Sequence, residues 1–305
     1  MTNKLRLFLI FALTICLCLL LLFPTLFTKA ALSGIQVWSA FVLPALFPFM
    51  VLSKILLNLN AATVFTPLLS PIMKKCFKTP AIAGYAFIFG TLSGYPLGSK
   101  IIGQLYSKKA ISSIDCKKMF LFCSNCGPIF IISTVATFIN NSSVAIIIYF
   151  SQLLSALLCA IVYCNICDIK QSPIANSFHN EKPNLNLLMA IQDSILSVLT
   201  VGGYITIFYI ISEMFALLPF SANILMVIKC ALELTFGCKT AASLPIHFAA
   251  PIIAAITSFG GLCILMQCYG FLSNCKISFF FMLFSKLIQA IIAFVLCFFF
   301  MRLFY

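Results

Sequence analysis

Carboxylates are nearly missing from this chain: its 305 residues hold 6 Asp and Glu against 19 Lys and Arg, with only 2 His. That scarcity removes the paired acids and histidine-centred sets on which general acid–base catalysis depends. No glycine-rich phosphate loop, zinc-protease helix motif or nucleophile elbow occurs. His179 sits in a polar stretch and His247 at the end of an apolar one, neither directly beside an acid. The sequence thus reads as no enzyme, with no catalytic residues and no cofactor. Charge of either sign is rare as well, at 8% of residues. A soluble domain carries roughly a quarter.

What fills the gap is apolar. Hydrophobic residues make up 63% of the chain and mean hydropathy is +1.15, which predicts an all-α, polytopic transmembrane bundle. The length leaves room for about seven to nine spanning or re-entrant segments. The net charge of +13 comes from lysines in short loops and at span ends, as membrane topology requires. With no basic stripe interleaved with aromatics, nucleic acid is excluded as a partner, and the lipid bilayer takes its place. Cysteine is plentiful, at 15 residues. Most, such as Cys16, Cys18, Cys159, Cys263 and Cys297, lie in apolar runs and read as small hydrophobes. The pairs Cys123/Cys126 and Cys164/Cys167 are too far apart for a usual zinc ribbon, and no metal site is assigned.

Lys4 and Arg6 place the N-terminus in the cytoplasm, ahead of an uncleaved signal-anchor span within residues 1–34. Spans are expected at about 7–28 and 35–58, the second with Trp38 near its outer end. Next comes the segment 81–106, which carries Ser93-Gly94-Tyr95-Pro96-Leu97-Gly98-Ser99-Lys100. Basic loops flank it on both sides: Lys74, Lys75 and Lys78 before, Lys108, Lys109, Lys117 and Lys118 after. Two cytoplasmic flanks forbid a simple crossing, so the segment is predicted to enter, turn at Gly94-Tyr95-Pro96 and return. Pro96 removes a helical donor and disfavours helix at Tyr95. A break at membrane depth is tolerated only in contact with protein or a polar cavity.

A span at 119–139, broken at Gly127-Pro128, and a span at 144–167 complete a first repeat over 35–167. The polar residues 168–187 connect to a second repeat over 188–305. That half has the same order: a plain span at 188–216, a segment interrupted at Thr235-Phe236-Gly237-Cys238-Lys239, a span broken at Gly260-Gly261, and a last span at 277–303. Gly94 is matched with Gly237. Three crossings and one hairpin per half would invert the halves, the arrangement of secondary transporters that bind solute at midplane.

The candidate ligand residues follow from the breaks. Ser93, Gly94, Tyr95, Pro96, Gly127, Pro128, Thr235, Gly237, Ser258, Gly260 and Gly261 shape them. Lys100 and Lys239, each beyond a break, would favour an anionic group beside exposed half-helix N–H donors. Glu233 is an intramembrane acid and so faces a cavity or a partner, with Lys229 one turn away as a neutralising neighbour. Asn125 must satisfy its amide on the break or on a ligand.

These four motifs, namely the 93–100 octapeptide, Phe122-Cys123-Ser124-Asn125-Cys126-Gly127-Pro128, Leu232-Glu233-Leu234-Thr235-Phe236-Gly237 and Ser258-Phe259-Gly260-Gly261, resemble those of YlbJ-type sporulation integral membrane proteins of the nucleoside-recognition (Gate) domain family. The resemblance runs from about residue 35 to the C-terminus. It implies a multi-pass cell-membrane protein of spore formers, connected with cortex assembly or spore maturation and sharing a domain with nucleoside transporters. Phe236 and Cys126 stand where that pattern tends to be small or polar, which implies a less polar site. The expectation is a permease of an anionic or nucleoside-like small solute, alone, as a homo-oligomer or with sporulation membrane partners. The rival is a non-transporting scaffold for spore-envelope assembly.

Overall fold

The computed structural model describes residues 3–166 and 185–305. Most of the expected 168–187 connection, with Cys167, Lys170 and His179, lies outside the described residues. Among those described, every regular element is a helix, and five helices are long and apolar enough to cross a membrane. The chain is an all-α membrane bundle.

Helix α1 (Asn3–Leu22) ends where Pro24 starts α2 (Pro24–Val37). A π-helical stretch, Trp38–Val42, then runs straight into α3 (Leu43–Asn58). Two spans with a turn near residues 29–34 are therefore not found, and residues 34 and 35 are mid-helix. Pro44 cannot donate to residue 40 and its ring crowds that carbonyl; the wide π turn absorbs the mismatch without ending the helix. The result is a 35-residue rod, about 52 Å long. Trp38, expected near the outer end of a span, lies inside the rod. It packs on Gly202 of α10 (Leu187–Ala216) and donates to the Val198 carbonyl at 3.0 Å.

After α4 (Ala62–Lys75) come two half-helices, α5 (Ala83–Ser93) and α6 (Leu97–Ser107). They form a hairpin. A Cβ on Gly90 would stand 3.1 Å from the Gly98 Cα, whereas eight residues of continuous helix span about 12 Å. Small residues at both positions allow this backbone approach. The hairpin's two flanks meet, since Lys118 Nζ donates to the Lys78 carbonyl at 3.0 Å. Lys117 and Lys118 are already helical, within α7 (Ser113–Cys123), whose start is fixed by a Ser112–Asp115 capping box.

Beyond residues 124–127 the chain resumes at Pro128, passes a π stretch (Phe130–Val135) and ends in α8 (Ala136–Ile139). Helix α9 (Ser142–Ile166) returns. After α10, α11 (Ala222–Leu232) and α12 (Leu234–Ala241) also fold back on each other: a Cβ on Gly237 would lie 3.3 Å from the Cys230 carbonyl oxygen. Helices α13 (Ile246–Phe259) and α14 (Gly261–Phe271) flank the Gly260-Gly261 break, and α15 (Phe279–Phe304) closes the bundle.

Contacts sort the turns into two ends. Ser113 at the start of α7 donates to the Cys275 carbonyl between α14 and α15. Asn141 donates to the Tyr305 hydroxyl at 3.1 Å, and His247 meets the Tyr305 ring edge-on. The turns near residues 78, 112 and 275 thus share one end; those near 141 and 247 share the other with the C-terminus.

Candidate functional site

The four interruptions converge. A Cβ on Gly94 would overlap the Gly127 amide nitrogen, and one on Gly127 would stand 2.6 Å from the Ser93 carbonyl oxygen. The Tyr95 ring lies against Gly260, and a Cβ on Gly261 would lie 3.2 Å from the Leu232 carbonyl oxygen. Gly94 (φ +84°) and Gly260 (φ +83°) hold backbone that L side chains rarely adopt.

A broken helix frees carbonyls, and burial without partners is costly. At the α7 break almost every one is matched. Gln289 donates to the Leu121 carbonyl at 2.7 Å and Asn125 Nδ2 to that of Phe122 at 2.8 Å. Lys286 donates to the Ser124 carbonyl, Tyr95 N–H to that of Asn125 at 2.7 Å, and Gln152 to that of Cys126 at 2.7 Å. The Cys123 carbonyl nests between Gly90 and Gly98, where any Cβ would collide with it. Asn125 is thereby committed to the break, its Oδ1 lying 3.4 Å from Lys286 Nζ.

The second hairpin breaks differently from the sequence expectation. The interruption falls at Glu233, not at Gly237, which is buried inside α12. Glu233 is the N-cap of α12, its Oε2 accepting from the Phe236 N–H at 2.7 Å, so a side chain starts the helix here. Lys229 does not neutralise it; that ammonium pairs with Glu213 at 2.8 Å.

Beside the convergence lies a half-open cavity of about 810 Å³. The breaks contribute Ser93, Tyr95, Pro96, Cys126, Gly127, Glu233, Leu234 and Thr235 to its lining, and α14 adds Cys263 and Gln267. Most of the remaining wall is apolar, including Phe41, Pro44 and Phe49 of the long rod. Ser93 Oγ is buried with no hydrogen-bond partner among the described residues. Among the described residues, Glu233 is the only acid lining the cavity, and no lysine lines it.

Other predicted residues stand apart from this lining. Lys100 is buried 3.6 Å from Asp193, which also takes Lys54 at 3.0 Å and Gln104 at 3.4 Å. Lys239 is exposed, and Ser258 is buried at 3.5 Å from Ser155. Pro128 begins the helix after the break, next to the lining residue Ile129. The tethers Gln152, Lys286 and Gln289 were not assigned to the site by sequence reasoning. Lys286 and Gln289, two polar residues three apart in the largely apolar α15, were the available signal.

No family model matches the chain, and no solved structure matches it. Among curated proteins it is similar to the sporulation integral membrane protein YlbJ of Bacillus subtilis (strain 168), with 24% identity over 306 aligned positions, covering 87% of this chain and 75% of the relative. This similarity bears out the resemblance to YlbJ-type sporulation integral membrane proteins that the motifs carry.

Proposed function

We propose that this chain is a transporter-like cell-membrane protein of bacterial sporulation that binds and moves a small solute at the meeting point of its four breaks. The observation that carries the reading is the convergence itself, beside a cavity of about 810 Å³. Ligand sites of this size have apolar walls and a few convergent polar groups. Discontinuous helices at a midplane site are the usual plan of secondary transporters. In this reading the halves are inverted repeats, with the first hairpin opening at one end and the second at the other. The end holding Lys74, Lys75, Lys78, Lys108 and Lys109 is cytoplasmic by the positive-inside rule, as is the N-terminus.

The cavity chemistry favours one of the two solute classes expected from sequence. Lys100 is paired with Asp193, and Lys239 does not line the cavity, so nothing there recommends an anion. Glu233, Gln267 and Ser93 suit an uncharged solute bearing hydroxyl or N–H donors, such as a nucleoside. Purified protein in proteoliposomes should accumulate labelled uridine or another neutral nucleoside faster than empty vesicles, and an anionic nucleotide should not compete. The scaffold reading gains instead if no solute moves, Glu233→Gln sporulates normally and changes within residues 168–187 do not.

A further inference from the structure

We infer that the Lys286 ammonium is a built-in replacement for a bound monovalent cation at the α7 break, so that Lys286→Ala converts this point into a sodium or potassium site. Lys286 lies in apolar α15 and is 2% exposed. Its Nζ is met by three uncharged oxygens from two elements: the Ser124 carbonyl, Asn125 Oδ1 at 3.4 Å and Gln289 Oε1 at 2.8 Å. The Phe120 ring lies 5.5 Å from the ammonium. No carboxylate among the described residues pairs with it.

Carbonyl and amide oxygens freed at a broken helix are the ligand type that hard monovalent cations take in such folds. A lysine ammonium offers three donors to three acceptors, at the C-terminal end of α7 where the backbone dipoles favour positive charge. One side chain therefore satisfies the oxygens and supplies the charge. Removing it to Ala leaves both the oxygens and room for an ion with water. Removing it to Met leaves the oxygens but fills the space. A simple tether would make the two variants equally indifferent to salt.

The test is thermal unfolding of the purified full chain in detergent, in sodium, potassium or N-methylglucamine chloride at equal ionic strength. This readout is independent of solute movement, so its failure leaves the transport reading standing and the reverse holds as well. The wild type should unfold at one temperature in all three salts. Lys286→Ala should unfold lower in N-methylglucamine and recover by several degrees in sodium or potassium, as mass action gives when a ligand is in large excess over its Kd. Lys286→Met should stay low in every salt. Selective stabilisation of the wild type by sodium overturns the inference, as does a Lys286→Ala protein without selective recovery. Where Lys286→Ala does not accumulate in membranes, Lys286→Ser takes its place: selective recovery in sodium or potassium is again expected, and its absence overturns the inference.

Discussion

Tyr95 and Thr257 are separated by 162 residues, yet the Tyr95 hydroxyl donates to the Thr257 carbonyl at 2.9 Å. Gly260 ends α13, so Thr257 has no ordinary helical donor four residues on. The first hairpin's tip supplies it. Tyr95→Phe keeps the ring against Gly260 and deletes the hydroxyl that serves Thr257. A buried carbonyl left without a partner costs about 1–3 kcal/mol, so Tyr95→Phe should lower the unfolding midpoint measurably in detergent. An unchanged midpoint would show that another donor reaches Thr257.

Gly98 makes a sharper prediction, because its demand is steric. A Cβ there would collide with the Cys123 carbonyl, which is backbone and cannot rotate away. Gly98→Ala should therefore separate the hairpin from α7 and destabilise by about 1–3 kcal/mol, the usual cost of overpacking. Gly203 is the control, since its Cβ would meet nothing within 4 Å. Gly203→Ala should be neutral or slightly stabilising through helix propensity. Equal effects from the two substitutions would contradict the hairpin packing.

The breaks at Gly94-Pro96, Gly127-Pro128 and Gly260-Gly261 were legible in the sequence because glycine and proline act locally on backbone geometry. The Glu233 break was not. It is made by a capping side chain, and the nearby Gly237 offered a false signal. The long rod was missed because spans of about 20 residues put an end near residue 28, whereas the helix from Pro24 runs on through Lys29 and Gly34. Long-range polar contacts were the least legible feature. Lys100 finds Asp193 and Lys286 finds Ser124 across separations that no spacing rule encodes.

The flanks of the first hairpin make a topological prediction. Lys75 and Lys109 are exposed on either side of it, whereas Cys116 is buried and unsuited to labelling. In a cysteine-free background, Lys75→Cys and Lys109→Cys should react with an impermeant thiol reagent from the same side of intact cells. Ser243→Cys, exposed in the turn between α12 and α13, should react only from the other side. Labelling of the two lysine positions from opposite sides would refute the re-entrant hairpin.

Glu233 carries two roles that substitution can separate. As the α12 N-cap it needs an acceptor oxygen; as a cavity residue it offers charge, since Lys229 is occupied by Glu213. Glu233→Gln keeps an oxygen for the Phe236 N–H and removes the charge. Its fold should survive with little loss of stability. On the proposed transport reading, losing a charge-assisted hydrogen bond to a solute costs about 1.5–3 kcal/mol, and uptake in proteoliposomes below saturation should fall by roughly ten- to a hundredfold. Glu233→Leu removes the cap as well and should add a stability loss of about 0.5–2 kcal/mol. If Glu233→Gln transports like the wild type while Glu233→Leu unfolds early, the carboxylate serves only to start the helix, and solute recognition passes to Ser93 and Gln267.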